Sequence, residues 1–359
     1  IYNYKELKTE LKNKGYTFRS TGDTEVILKA YHAWGEKCVK KLNGMFAFVI
    51  YDQNSNQVFM ARDRLGIKPL YFYTSEESLL FASSLPALLQ TGKIEKKISK
   101  QALHYYMSFH AVVPAPHTII DGIQKLPPGT TMVVSKDGNI NQERYWDLNF
   151  SRDAEQEKYS FDDWKRYLSD SLMAAVKRRL VADVPVGVLL SGGLDSSLIV
   201  GLLAEAGQKD LKTFSIGFES VGDEKGDEFM YSDIIARHYA TDHHKIQVDS
   251  KQVLPALPAC VKAMSEPMVS HDCIGFYLLS QEVAKHVKVV QSGQGADEVF
   301  GGYHWYPPMM ESKDAINDYR NAFCDRTHSE FLEIVHEKYR EKDFSSQFIE
   351  SQFSTPGAK

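Results

Sequence analysis

The chain contains 359 residues with a net charge of −5, of which 43% are apolar and 25% are charged. These values predict a soluble globular protein long enough for two domains, and they exclude disordered, fibrous and membrane-spanning chains, since no window holds 18 consecutive apolar residues. The negative charge also argues against nucleic acid or an anionic membrane as a partner.

The first 149 residues have the pattern of a domain in which helices accompany antiparallel strands. Apolar residues recur at helical spacing over 4–11 and 26–34. Runs rich in β-branched and aromatic residues, separated by turn-forming stretches, predict strands at 45–51, 57–61, 70–73, 79–83 and 129–134. We therefore predict an α+β domain over residues 1–149.

A polar linker at 149–160 separates this domain from a region of different pattern. Beyond it, strands predicted at 184–190, 213–218, 245–248 and 287–291 alternate with helices predicted at 164–176, 198–203, 231–239, 253–264 and 276–286. Such alternation predicts an α/β domain over residues 150–359, with a parallel sheet whose ligand lies at the carboxyl ends of the strands. From residue 343 onward the chain is polar, and we expect no finishing strand or helix there.

A glycine-rich turn, SGGLDSS at residues 191–197, lies between the first of these strands and the helix after it. Backbone N–H groups of such a turn and of the helix N-terminus point at one place, so the turn predicts an anion site. The hydroxyls of Ser191, Ser196 and Ser197 add donors. The turn lacks the lysine of the common nucleotide phosphate loop and is shorter. A plain turn of small residues is the alternative interpretation.

A second glycine-rich turn, SGQGADE at residues 292–298, follows the last predicted strand in the same way. Its Asp297 and the Asp195 of the first turn form the pair that we predict to bind Mg²⁺. A hard cation prefers carboxylate oxygens, and carboxylates beside a polyphosphate would otherwise repel it. Alternatively, Asp297 and Glu298 are acids that the dipole favours at a helix start.

Apolar walls for adenine are available at the end of the strand 213–218. Ile216 lies there, and Leu190 ends the preceding strand, so the two could bracket a flat ring. A plain core strand is the alternative interpretation.

A polar loop containing a proline, at residues 265–272, precedes a predicted helix, as an acceptor site would require. We take Glu266 and Asp272 of this loop, together with Gln294, as candidates for the acceptor site. The alternative for Asp272 is that it only caps the helix.

Several strings, in the right order, resemble the glutamine-hydrolysing asparagine synthetases. Those that resemble the glutaminase domain of this family are IYNY at 1–4, TGDTEV at 21–26, LNGMFAF at 42–48 and ARDRLGIKPLY at 61–71. Residues 190–197 and 292–303 resemble its synthetase domain, and the first turn is similar to the SGGxDS loop of ATP-pyrophosphatases. Residues 264–272 and 303–308 most resemble the N-acetylglutaminylglutamine amidotransferase branch.

The resemblance implies an Ntn-hydrolase-like class II glutamine amidotransferase domain over 1–149 and an ATP-pyrophosphatase domain over 150–359. In the family, a cysteine releases ammonia from glutamine, and the ammonia attacks a carboxylate that ATP has activated as an acyl-adenylate. The implied cofactors are ATP and Mg²⁺, and the implied partners are glutamine and a small carboxylate acceptor, with a homodimer left open.

The resemblance also assigns roles to residues of this chain. Asp23 would bind the α-amino group of glutamine. Asp195 and Asp297 would bind Mg²⁺. The residues implied to hold ATP and its pyrophosphate are Leu190, Ser191, Gly192, Gly193, Asp195, Ser196, Ser197, Ile216, Ser292 and Gly293.

Three departures from the family pattern stand out. The catalytic cysteine of the family would lie upstream of Ile1, and none of the four scattered cysteines replaces it. Gln294 stands where some members have glutamate, and the family's downstream basic segment would follow Lys359. We therefore expect a chain truncated at both ends. The cysteines have no metal-site spacing and indicate reduced thiols of a cytoplasmic protein.

Two other functions compete with this interpretation. Another enzyme with the same pyrophosphate loop, of the tRNA-thiolating or NAD-synthesising type, is disfavoured by the glutaminase strings. A degenerate homologue with a binding or regulatory role is the second. The acceptor, aspartate or N-acetylglutaminylglutamine, stays open.

Overall fold

The computed structural model of the chain describes residues 1–218 and 228–354, which form two compact units. The first unit contains Ile1–Ser151, the short segment Ser265–Pro267 and the residues from Asp314 onward. The second contains Arg152–Met264 and Met268–Lys313. The change of unit at residue 152 lies close to the predicted linker, whereas the predicted domain 150–359 is shared between the two units.

The first unit begins with helices and continues with antiparallel strands. Its helices up to residue 151 are α1 (Tyr4–Asn13), α2 (Asp23–Trp34), α3 (Leu85–Leu89) and α4 (Lys100–Ser108), with a 3₁₀ helix at Gly35–Lys41. Its strands are β1 (Ala47–Asp52), β2 (Gln57–Arg62), β3 (Tyr71–Thr74), β4 (Leu79–Ala82), β5 (Gln124–Lys125), β6 (Thr130–Val134) and β7 (Ile140–Arg144). They form two antiparallel sheets, ordered β1-β2-β6-β7 and β4-β3-β5, so the predicted α+β pattern is confirmed.

Helices α1 and α2 pack on this sheet through the apolar faces that their sequence spacing predicts. Leu7 and Leu11 of α1 and Val26 and Ala30 of α2 are buried in one cluster with Phe59 of β2. These side chains recur every three or four residues, so each helix turns one stripe towards the same core.

The second unit alternates strands and helices. It contains α5 (Phe161–Arg179), β8 (Val186–Leu189), α6 (Leu194–Glu205), β9 (Lys212–Phe218), α7 (Phe229–His238), β10 (Asp242–Val248), α8 (Val253–Ala263), α9 (His271–Val283), β11 (Val289–Gln291), α10 (Ala296–Phe300) and α11 (Tyr306–Met310). Two 3₁₀ helices lie at Gln156–Lys158 and Ser250–Gln252. The sheet is parallel in every pairing, with the order β10-β9-β8-β11, which confirms the predicted α/β pattern.

This strand order creates a switch point between β8 and β11. The chain moves outward from β8 to β10 and then returns to place β11 on the other side of β8. Ligands of open parallel sheets bind at such points, at the carboxyl ends of the strands. Both predicted glycine-rich turns follow strands that meet there.

The expectation that the chain after residue 343 lacks a helix is wrong. Helix α14 (Phe344–Phe353) is capped by Asp343, whose Oδ1 accepts from the Ser346 amide at 2.9 Å. It follows α12 (Ala315–Phe323), α13 (His328–Ile334) and a 3₁₀ helix at Glu337–Tyr339, and residues 355–359 lie outside the described residues. The buried Ile349 of α14 packs against Tyr105 of α4. Apolar side chains are spread among the polar ones of α14, and they give the helix a face that packs on α4.

No helix in the described ranges, 1–218 and 228–354, is both long and apolar enough to cross a membrane.

Candidate active site

The two glycine-rich turns touch each other at the switch point of the parallel sheet. A Cβ placed on Gly293, after β11, would lie 2.8 Å from the Ser196 amide nitrogen and 2.9 Å from Asp195 Cβ. Gly192 has φ +92°, and a Cβ there would lie 2.5 Å from the Ser232 amide nitrogen on α7. Only glycine allows the main chain to pack so closely at these two positions.

The first turn is held by hydrogen bonds among its own residues. Ser196 Oγ accepts from the Ser191 amide at 3.2 Å and lies 3.0 Å from Ser191 Oγ. Ser191 Oγ accepts from the Gly193 amide at 3.2 Å. These hydrogen bonds fix the conformation of the turn and with it the position of the N-terminus of α6. Ser197 Oγ is buried and has no hydrogen-bond partner among the residues that the structure describes.

The turns border a cavity of about 590 Å³ that lies wholly within the second unit. The predicted site residues that line it are Leu190, Ser191, Gly193, Asp195, Ser196, Ile216, Asp272, Ser292, Gly293, Gln294 and Asp297. The structure thus brings together the predicted adenine walls, anion turn and carboxylate pair. Gly192, Ser197 and Glu266 are not among the lining residues.

The cavity carries several acidic side chains. Its acidic lining residues are Asp195, Glu228, Asp272, Asp297 and Glu298, and among the described lining residues there is no lysine, arginine or histidine. An anion such as a polyphosphate cannot be stable beside so many carboxylates without a compensating cation. Carboxylate oxygens are the donors that Mg²⁺ prefers, so this donor set fits the predicted metal.

Asp297 lies in the first turn of the short helix α10, which begins after Gly295 in the left-handed conformation. A Cβ on Gly302 would overlap the Asp297 carboxylate, so glycine at 302 leaves room for that side chain. Nearby, Tyr303 donates to Glu298 Oε1 at 2.8 Å, and this hydrogen bond raises the pKa of Tyr303 to about 12. Tyr303 therefore stays a neutral donor at the rim of the cavity.

The structure corrects the alternative role of Asp272. Helix α9 is capped by Ser270, whose Oγ accepts from the Asp272 amide at 3.1 Å. Asp272 is the second helical residue, so the interpretation that Asp272 itself caps the helix is wrong. Its side chain instead lines the cavity.

Glu266 has a different environment from the other acceptor-site candidates. It belongs to the first unit, where its Oε1 accepts from Tyr71 Oη at 3.1 Å and from Lys125 Nζ at 2.9 Å. Lys125 Nζ also donates to the Val113 carbonyl at 2.6 Å. Burial, reinforced by the Glu266 charge, raises the pKa of Tyr71. The Glu266 carboxylate is thus held by two donors, which gives it a positioning role in this unit.

Asp23 is the first residue of α2, and the N-cap is Gly22. Asp23 therefore does not itself cap the helix. Its carboxylate, 41% exposed, accepts a hydrogen bond from the Ile1 nitrogen. Both residues line a second cavity of about 860 Å³ within the first unit, together with residues of β1 and the segment Lys68–Leu70. Asp23 thus places a carboxylate at the wall of a cavity.

Two of the cysteines, Cys38 and Cys324, have environments that disfavour the thiolate and hence nucleophilic catalysis. Burial raises the pKa of Cys38 to about 12, so its thiolate is negligible at neutral pH. Burial also raises the pKa of Cys324. Cys260 is buried, and its Sγ contacts the Cys273 carbonyl oxygen at 3.7 Å.

Sequence reasoning missed several residues of the first cavity. Phe218, Glu228, Phe229 and Phe276 line it, although none of them was singled out. Phe218 ends β9 at the carboxyl edge of the sheet, and this position alone could have identified it. The others are brought to the cavity by α7 and α9, which no local pattern reveals.

Two protein families match the chain in succession. Residues 1–146 match the family described as glutamine amidotransferase domain, and residues 167–355 match the family described as asparagine synthase.

Curated relatives show the same likeness over most of the chain. Glutamine-hydrolyzing asparagine synthetase 1 of Bacillus subtilis (strain 168) is 38% identical over 313 residues, which cover 87% of this chain and 48% of that protein. A putative glutamine-hydrolyzing asparagine synthetase 2 of Methanocaldococcus jannaschii is 36% identical over 342 residues (94% and 62%). Glutamine-hydrolyzing asparagine synthetase 3 of Bacillus subtilis (strain 168) is 35% identical over 362 residues (95% and 58%). The chain thus spans between 48% and 62% of the length of these relatives.

Proposed function

Because the chain belongs to the asparagine synthase family, we propose that the protein is an ATP-dependent, glutamine-hydrolysing amidotransferase, a carbon–nitrogen ligase. Ammonia released from glutamine amidates a carboxylate that has been activated as an acyl-adenylate, and AMP and pyrophosphate are the other products. The observation that carries this proposal is the acidic cavity at the switch point, where two glycine-rich turns meet.

Activation of the acceptor is the step assigned to the second unit. A carboxylate is a poor electrophile, so its oxygen first attacks the α-phosphorus of ATP, and the bond from that phosphorus to the bridging oxygen of pyrophosphate breaks. Backbone N–H groups at the start of α6 would hold the leaving pyrophosphate. Asp195 and Asp297 would hold Mg²⁺, which would neutralise charge on the phosphates.

Adenine is assigned to the apolar side of the same cavity. Ile216 on β9 and Leu190 after β8 line it from adjacent strands, and the Leu190 amide donates to the Phe214 carbonyl at 2.8 Å. This hydrogen bond fixes the main chain that leads into the first turn. The base and the phosphates are therefore placed relative to each other by one stretch of backbone.

Glutamine is assigned to the cavity of the first unit. The Asp23 carboxylate lines this cavity, and a carboxylate is the group required to bind the α-ammonium of glutamine. Hydrolysis needs a nucleophilic cysteine, which the family places before Ile1.

The acceptor is assigned to the acidic side of the second unit's cavity, near Asp272 and Gln294. Aspartate is the acceptor that the names of the relatives imply, and N-acetylglutaminylglutamine is the one that the finer sequence resemblance predicts. A cytoplasmic location and a homodimer belong to the same proposal.

The experiment that tests this function is a substrate screen of the full-length protein. Glutamine, ATP, Mg²⁺ and candidate acids are combined, and AMP formation and product mass are measured. We expect AMP only with the correct acid, and an amide one mass unit lighter than that acid, because a hydroxyl group is replaced by an amino group. Binding of ATP without AMP formation for any acid would instead support the degenerate, non-catalytic homologue.

A further inference from the structure

A cluster of two histidines and an aspartate lies in the first unit, and none of its members is among the lining residues of either cavity. His104 Nε2 is 2.9 Å from His328 Nδ1 and 3.9 Å from Asp343 Oδ1. One atom from each of the three side chains lies within 4.8 Å of the others. These are the atom types that bind first-row transition metals.

Three different helices bring the cluster together. His104 is on α4 and is only 1% exposed, His328 is the first residue of α13, and Asp343 caps α14. The start of α13 is fixed by a capping box in which Thr327 Oγ1 accepts from the Glu330 amide at 3.3 Å. The buried Phe331 packs its ring 4.4 Å from that of His104. The side chains of the cluster therefore have little freedom to move apart.

Hydrogen bonds behind the cluster orient two of its members. His104 Nδ1 lies 2.6 Å from the hydroxyl of the buried Ser345, which can accept its proton and leave the Nε2 lone pair facing the cluster. Asp343 Oδ1 accepts from the Ser346 amide at 2.9 Å, and Oδ2 accepts from Ser346 Oγ at 2.6 Å. A partner on the far side of each ligating group is the usual arrangement around protein-bound metals.

We propose that His104 Nε2, His328 Nδ1 and the Asp343 carboxylate form a Zn²⁺ site that ties α4 to α13 and α14. Two imidazoles and one carboxylate are a donor set for Zn²⁺, whereas Mg²⁺ takes oxygen donors. Water completes the fourth coordination position, because the Asp343 side chain is 33% exposed and solvent reaches the cluster there.

Binding of the ion requires the side chains to adjust. Ligand atoms about 2.0–2.1 Å from a tetrahedral ion lie about 3.3 Å from each other. The pair at 2.9 Å must therefore open, the pair at 3.9 Å must close, and the third pair, which lies within 4.8 Å, must reach the same separation through side-chain rotation. The proton between His104 Nε2 and His328 Nδ1 moves to His328 Nε2. Both imidazoles stay neutral, so the net charge of the two side chains does not change.

The charges around the cluster are compatible with a cation. The N-termini of α13 and α14 bring partial positive charge, which the Asp343 carboxylate offsets. This inference is independent of the proposed enzymatic function, since the cluster lies in neither substrate cavity.

The test is metal binding by the full-length protein, stripped of metal and kept free of ATP. Zn²⁺ is titrated by calorimetry, and Co²⁺ is added as a spectroscopic substitute whose visible absorption reports a tetrahedral site. We expect one ion per chain, a tetrahedral Co²⁺ spectrum and a higher melting temperature with Zn²⁺. His328→Gln and Asp343→Asn should each weaken binding by about tenfold or more, and Ser345→Ala by about tenfold.

The control is His336→Gln, an exposed histidine in the same region whose Nδ1 accepts only from the Lys338 amide at 3.3 Å. This variant should bind Zn²⁺ as the wild type does. Asp343→Asn keeps the helix cap, so its loss of affinity reports the lost carboxylate rather than unfolding. Equal affinity in the wild type and His328→Gln would overturn the proposal. So would the absence of a tetrahedral Co²⁺ spectrum in the wild type, which needs no variant to fold.

Discussion

The backbones of Gly293 and Ser196 are in direct contact, although β9, β10 and their helices lie between these residues along the chain. A Cβ on Gly293 would lie 2.8 Å from the Ser196 amide nitrogen, which belongs to the turn assigned to pyrophosphate. The position of one glycine-rich turn therefore determines the position of the other.

Gly293→Ala should separate the two turns. The added methyl meets backbone rather than a flexible side chain, so the turns must shift. We expect AMP formation with ammonia as nitrogen donor to fall by about tenfold or more, equivalent to about 1.4 kcal/mol of transition-state stabilisation. The matched control is Gly22→Ala, where a Cβ would contact nothing within 4 Å and φ is −79°. Comparable AMP formation by the two variants would contradict the prediction.

Asp195→Ala or Asp297→Ala should abolish cleavage of ATP to AMP and pyrophosphate. Each change removes a proposed metal ligand from the second unit and should cost several kcal/mol of transition-state stabilisation, whereas glutamine hydrolysis remains measurable. AMP release and ammonia release are assayed in parallel, with Asp170→Ala on the exposed face of α5 as the control. Normal AMP release by either cavity variant would show that the metal assignment is wrong.

Asp23→Asn should raise the KM for glutamine by about tenfold, which corresponds to about 1.4 kcal/mol. The charge opposite the α-ammonium is lost, but Gly22 remains the helix cap, so the melting temperature should stay nearly constant. Ammonia-driven synthesis serves as the internal control, because it bypasses the glutamine site. An unchanged KM for glutamine would remove Asp23 from that site.

Cys38→Ala should leave glutamine hydrolysis by the full-length protein intact. The raised pKa of this buried thiol, about 12, excludes it as a nucleophile at neutral pH. Ammonia release is measured from about pH 6 to about pH 9, and the profile should match that of the wild type. Loss of hydrolysis in a correctly folded variant would mean that Cys38 takes part in catalysis.

Glu25 should make the first unit sensitive to acid. A hydrogen bond from Lys29 Nζ at 2.5 Å, joined by donors from Ser20, holds the pKa of Glu25 well below its ordinary value of 4.5. Because the folded pKa is depressed, the contribution of Glu25 is complete above about pH 4.5 and is lost as the pH falls towards the folded value. Urea unfolding of the wild type should therefore show a larger loss of stability from about pH 6 to about pH 3 than Glu25→Gln. Parallel losses in the two proteins would refute this role.

The local signals in the sequence were sufficient for most of the strands and for the two turns, whereas β5 and β7 were not predicted. Glycine-rich turns and alternating apolar segments are local patterns, and the sheet then places Ser191 and Ser292 at one edge. Ser270 and Asp272 lie two residues apart in a polar loop, so sequence alone could not decide which one caps α9.

Contacts between distant segments could not be predicted in this way. The pairing of Glu266 with Tyr71 and Lys125 joins residues far apart along the chain, and no periodicity indicates it. Helix α4 was missed because its buried face includes His104, a polar residue that becomes a core residue only when α13 and α14 cover it.

The placement of β11 beside β8 has a consequence for how the second unit folds. Strands β8, β9 and β10 and their helices can form through contacts between neighbours in sequence, but the cavity acquires its second wall only when the returning strand docks. Such distant pairings close large loops and tend to form late. If the cavity holds the proposed nucleotide, its affinity should report completed folding, and any ligand that bridges the two turns should stabilise β11 most strongly.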